Sequence, residues 1–124
     1  QTMTSPALTT PAIGAATGAS LVLTGAITIG SGTAITKHLS AATSLDFPST
    51  AAGQCNNRTM TITGAADGDV VALGIPHALA NIASSTAKGW ISAANTATVQ
   101  LCLFLGAATT DPAAATVRAD VWQH

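Results

Sequence analysis

The stretch Ala115-Thr116-Val117-Arg118-Ala119-Asp120-Val121-Trp122 constrains this chain most, because Val117, Ala119 and Val121 alternate with polar or bulky residues. A period of two belongs to a strand with one face on a core and the other in solvent. A helix would need apolar residues at i, i+3 and i+4, and no such stripe appears. The abundant Ala is interleaved with Thr, Gly and β-branched residues, which favours strand over helix. Further runs of strand character lie near 33–38 (Ile35), 43–47 (Leu45, Phe47), 58–63 (Met60, Ile62), 69–73 (Val70, Val71, Leu73), 88–93 (Trp90, Ile91) and 96–104 (Val99, Leu101, Leu103). Turn chemistry separates them at Phe47-Pro48-Ser49, Gly53 to Asn57, Gly64 to Asp69, Gly74-Ile75-Pro76, Ala94-Asn95 and Asp111-Pro112. The segment 77–87 reads mainly as loop, with room for one helical turn. About seven short strands at this spacing predict an all-β domain over 33–124, a small antiparallel β-sandwich or jelly roll.

Residues 1–32 have a different texture. Thr4-Ser5-Pro6-Ala7-Leu8 and Thr10-Pro11-Ala12-Ile13-Gly14 repeat a Pro-Ala-aliphatic unit. Each proline lacks an amide donor and pushes its predecessor into extended backbone, which excludes a single helix or a central strand. Leu21, Leu23, Ile27 and Ile29 then alternate with small or polar residues, with Gly25 as a bend or bulge. One apolar stripe on an extended segment cannot bury itself, and the simplest partner is another copy of the same segment.

Composition points the same way. Ala, Thr, Gly and Ser fill 67 of 124 positions, and only 7% of residues are charged, against roughly 25% in ordinary domains. A surface of Thr, Ser, Asn and backbone suits packing between chains. With four aromatics, Phe47, Trp90, Phe104 and Trp122, the core is thin, and burial between copies would supplement it. The four cations Lys37, Arg58, Lys88 and Arg118 are scattered among five aspartates, so nothing favours nucleic acid. The first 36 residues carry no charge, but Pro6, Pro11, Gly14, Gly18, Gly25 and Gly30 break any membrane-spanning run. No charged stretch precedes an apolar one, which argues against a signal peptide. The chain begins with Gln1 rather than Met and reads as a fragment or processed product.

Little of the sequence carries reaction chemistry. Glu is absent, and no nucleophile elbow, phosphate loop or zinc-protease motif occurs. Asp67-Gly68-Asp69 is the one close acidic pair and reads as a turn between strands. Asn57-Arg58-Thr59 matches a glycosylation sequon, a short pattern of low specificity. Cys55 and Cys102 lie near apolar strand patterns and read first as two buried thiols, with a single bridge between facing strands as the alternative. No catalytic residue, cofactor or metal is expected. His38 reads as a surface imidazole at a strand end. Trp90 and Trp122 read first as core or subunit-interface residues, and otherwise as platforms on which a sugar could stack. Three residues remain as receptor contacts: His77 in the longest loop, and Lys88 with Trp90 just after it.

The run Thr4-Ser5-Pro6-Ala7-Leu8-Thr9-Thr10-Pro11-Ala12-Ile13-Gly14, continued to Leu21, resembles the repeat in shafts of bacteriophage tail fibres and tailspikes. Later stretches are similar to a small C-terminal domain of such fibres, notably Ile35 to Ala41, Leu45-Asp46-Phe47-Pro48-Ser49, Gly64 to Asp69, Ser92 to Val99 and Asp111-Pro112-Ala113. The resemblance implies a homotrimeric structural component of the virion, bound to other virion proteins. A shaft-like 1–32 would carry the β-rich head, and the head would attach to a glycan or protein of the bacterial surface. In that arrangement Leu8, Ile13, Leu21, Leu23, Ile27 and Ile29 would line the three-fold axis. A trimeric capsid decoration protein, its arm laid along capsid subunits, is the alternative expectation. A glycan depolymerase would need two acids in a cleft, which a chain without Glu supplies poorly.

Overall fold

Alternation decides which side chains go inside. In the last strand Val117, Ala119 and Val121 are fully buried, while Thr116, Arg118 and Trp122 between them face solvent. The same period runs through the six strands of this computed structural model, which describes residues 22–124, with breaks where Thr98 is buried and at a bulge between Ile91 and Ala93. They are β1 (Lys37–Leu45), β2 (Cys55–Thr61), β3 (Val70–Gly74), β4 (Ser85–Ala93), β5 (Thr96–Leu103) and β6 (Ala115–Gln123). One helical turn, α1 (His77–Ala80), lies between β3 and β4. The Pro-Ala repeat and the expected axial residues Leu8, Ile13 and Leu21 fall outside the described residues.

Residues 22–124 form an all-β fold, with two three-stranded antiparallel sheets ordered β1-β6-β3 and β2-β5-β4. The chain crosses between sheets at every connection except one, the tight β4–β5 turn through Ala94-Asn95. Asn95 holds a φ of 60° there, a left-handed conformation that Asn tolerates better than most residues. Its side-chain carbonyl also accepts the Gly64 amide at 2.6 Å, tying this turn to the β2–β3 connection. β1 and β6 pair along their whole length, with Lys37 opposite Gln123 and Leu45 opposite Ala115.

Both sheets contribute to one core: Leu45, Val117, Ala119 and Val121 from the first, and Met60, Ile91, Ala97, Val99 and Leu101 from the second. Phe47 and Ile62 join it from the connections. Thr50 is also buried, and its hydroxyl donates to the Pro48 carbonyl at 2.9 Å and accepts the Asn56 amide at 2.7 Å. That satisfied hydroxyl fixes the β1–β2 connection without an uncompensated polar group.

Two expectations need correction. The strands anticipated at 33–38 and 43–47 are one nine-residue strand, Lys37–Leu45, so the described residues hold six strands and not seven. Its middle, Ser40 to Ser44, is so uniformly small that hydropathy gave no contrast, yet no turn residue interrupts it. Ile35 lies before it, in an isolated bridge to Ile27 across the turn at Gly30-Ser31-Gly32. The cysteines are not free thiols. Cys55 and Cys102 are direct partners across the β2–β5 ladder and form a disulfide.

Candidate functional site

Period two places a second set of side chains on the outside of each sheet, and the two outer faces differ. On the first sheet, the β1–β6–β3 register aligns His38, Trp122 and Val70 in one row and Ser40, Asp120 and Ala72 in the next. The His38 and Trp122 rings stack with centroids 4.2 Å apart. His38 Nε2 lies 3.2 Å from an Asp120 carboxylate oxygen, and Arg118 Nε lies 3.3 Å from the other. Hydrogen bonding from Ser40 holds the Asp120 carboxyl below its ordinary range; burial opposes it, and the charge of Arg118 lowers it by a lesser amount. Ser40 and His38 thus both engage the same carboxylate. A nucleophilic relay would need serine bonded to the imidazole instead. Beside this cluster, an apolar groove of about 370 Å³ opens between residues 23–36 and the β1 edge, lined by Leu23, Ile27, Ile35, His38, Leu39 and Trp122.

The outer face of the second sheet is built from the alternate residues of β2, β5 and β4. Reading across the strands, Cys55, Cys102 and Thr86 form one row, Asn57, Gln100 and Lys88 the next, and Thr59, Thr98 and Trp90 the third. Thr61 and Thr96 are paired beyond them. The Gln100 side-chain amide donates to the Asn57 side-chain carbonyl at 2.9 Å, and Thr98 donates to the Ser92 hydroxyl at 2.7 Å. Lys88 Nζ stands 5.6 Å from the centre of the Trp90 ring. The strand beneath is seated by Ile91, which is buried, and by Gly89, where a Cβ would lie 2.8 Å from a methyl of Leu73.

Sequence reasoning singled out His77, Lys88 and Trp90 as contacts. Lys88 and Trp90 come together on this face. His77 lies instead at the start of α1, in the β3–β4 connection, with no side-chain hydrogen bond or ring contact to the other two. The core reading of the tryptophans does not hold within this chain, since each faces outward and is 36% exposed. The reading of Asp67-Gly68-Asp69 as a turn does hold: the Asp69 amide donates to the Ala66 carbonyl at 3.1 Å, with Gly68 at a φ of 90°. Asn57 was noted only as part of a sequon, and Thr98 and Gln100 were missed, their only signal being polar alternation in Thr96-Ala97-Thr98-Val99-Gln100. The ladder that lines them up is set by pairings between distant segments. Among the described residues, no three His, Cys or Asp side chains converge as metal ligands would.

The architecture and these two faces define the protein only as a small disulfide-linked, two-sheet β domain. No protein-family model, curated protein or solved structure matches the chain.

Proposed function

We propose that this chain is a non-enzymatic assembly and attachment module, the distal part of a homotrimeric bacteriophage tail fibre or tailspike, with a sandwich-type head. One observation carries the reading. Val22, Leu23, Ile27 and Ile29, large apolar residues leading into the domain, are 83%, 51%, 41% and 73% exposed. A run of this kind marks an interaction surface, and a chain with so few charges does little to oppose contact between copies. Association through Leu23, Ile27 and Ile29 supplies the burial that a small Ala-rich core lacks. The trimeric state and the virion setting come from the resemblance of the N-terminal repeat to fibre shafts. Attachment is supported by the outward Trp90 and Lys88, which contribute nothing to the core.

Sedimentation at micromolar concentration tests the assembly. A particle of three times the 12.1 kDa chain mass is expected. Leu23→Asp with Ile29→Asp should reduce it to the single chain while the far-ultraviolet spectrum stays that of a β protein. A monomeric unsubstituted chain would overturn the proposal. Gold labelling of virions separates tail tips, the expected location, from capsid faces, where a decoration protein would lie.

A further inference from the structure

We infer that the outer face of the β2-β5-β4 sheet binds an acidic glycan, with Trp90 as the stacking platform, Lys88 as the carboxylate partner and the Asn57–Gln100 amide pair reading hydroxyls. The inference rests on the attachment reading above and supplies its ligand class.

Charge narrows the occupant first. The face carries one cation and no carboxylate: Asp46, Asp67, Asp69 and Asp111 lie in connections, and Asp120 lies on the other sheet. Among the described residues Lys88 forms no ion pair; the two that exist join His38 and Arg118 to Asp120. A lone unpaired ammonium beside an exposed aromatic suits a ligand with one negative charge per recognised unit. It does not suit a phosphate polymer, which needs several cations. A protein partner would want an apolar centre, but around Trp90 this face offers Thr59, Thr86 and the two amides, with Thr98 buried under its bond to Ser92. A sugar ring meets both demands, since its C–H face packs on indole while its rim of hydroxyls needs donors and acceptors.

The polar groups are arranged to supply them. In the 2.9 Å bond from Gln100 to Asn57, the pair uses one donor and one acceptor. Each amide has further capacity, with the Gln100 oxygen as acceptor and the Asn57 nitrogen as donor. The sulfur nearest the Gln100 oxygen, that of Cys102 at 3.4 Å, belongs to the disulfide and has no proton to give. Two rows and three strands span roughly 10 Å by 7 Å, the footprint of a mono- or disaccharide. The disulfide one row away locks the β2–β5 register, so Asn57 and Gln100 are held in place before a ligand arrives. The Lys88 contact with the indole ring is weak at an exposed site, which leaves the ammonium able to move onto a sugar carboxylate as the ring is covered.

The test uses the full chain on an array of uronate-, sialate- and pyruvate-bearing oligosaccharides beside their carboxyl-reduced counterparts. At least one acidic member should be held tenfold or more tightly than its neutral partner. Trp90→Ala should lower retention tenfold or more, Lys88→Ala should erase the preference for the acid, and Thr116→Ala on the opposite sheet should change neither. Thermal unfolding of each variant checks that the domain still folds. Equal retention of acidic and neutral members, or a folded W90A chain that binds normally, would sink the inference. Fluorescently labelled chain on a panel of encapsulated bacteria separates the two readings. Cell adherence that survives both W90A and K88A leaves attachment standing and removes the glycan face. Array binding without any cell adherence does the reverse.

Discussion

At Gly89 a missing side chain does structural work. The residue faces inward on β4, and a Cβ there would sit 2.8, 2.9 and 3.0 Å from three atoms of the Leu73 side chain, on β3 of the opposite sheet. Gly89→Ala must displace Leu73 or lift β4, at a cost of about 1–3 kcal/mol in urea unfolding; an unchanged midpoint would show that Leu73 simply turns aside. Because Lys88 and Trp90 flank this glycine, any lift of β4 also moves the candidate binding face. Two aspartates set the response to acid. The Asp69 carboxylate accepts the Ala66 amide, the main cause of its lowered pKa, and also the Gln123 side chain at 2.6 Å. Asp120 is lowered chiefly by Ser40. A folded-state pKa below the ordinary 3.8 means that each contributes stability above that value and loses it as pH falls through the lower one. Melting temperature should therefore hold steady down to about pH 4 and drop below it, and the drop should be shallower in an Asp69→Asn, Asp120→Asn double variant. At this scale the sequence was least legible. The period sets Trp122 beside Thr116, Arg118 and Asp120 on the polar face, but not which residues of other strands line up with it or with Trp90. That depends on which neighbours the strand acquires.

Strands were easier to read, and the reason lies in contrast. β5 and β6 set Val, Leu or Ala against Thr, Gln, Arg and Asp at every second position, so their extents follow the period closely. β1 lacks that contrast, since Ser, Ala and Thr occupy both faces, and its single run looked like two. The disulfide belongs to the same scale. Strand assignment alone does not put Cys55 opposite Cys102, because a shift of one residue would point one sulfur inward. Once paired, the bridge closes a loop spanning 47 positions. On a chain-entropy scale that is worth about 4 kcal/mol, an upper figure where the strands are already hydrogen-bonded. Replacing both cysteines by serine should lower unfolding free energy by about 2–4 kcal/mol, and dithiothreitol should reproduce that loss in the unsubstituted chain. A loss below about 0.5 kcal/mol would mean the β2–β5 ladder holds its register without help.

For the molecule as a whole, the expectation of an all-β domain follows from the structure directly. The apolar run at 22–29 is legible as exposed but not as to what covers it, because an unpartnered stripe looks the same beside any partner. If copies of the chain cover one another there, folding and association are linked, and melting temperature should rise with protein concentration. A tenfold dilution that leaves it unmoved would count against linked assembly. The pairing of Lys37 with Gln123, reinforced by the Thr36 amide on the Gln123 carbonyl at 2.8 Å, has a mechanical meaning. Tension applied through the chain on either side of the domain pulls at the same end of two neighbouring strands. The β1–β6 ladder is then loaded one rung at a time instead of in shear, like a zip opened from its free end. In single-molecule pulling the first sheet should part at low force, while the disulfide keeps β2 and β5 together until the load reaches a covalent bond.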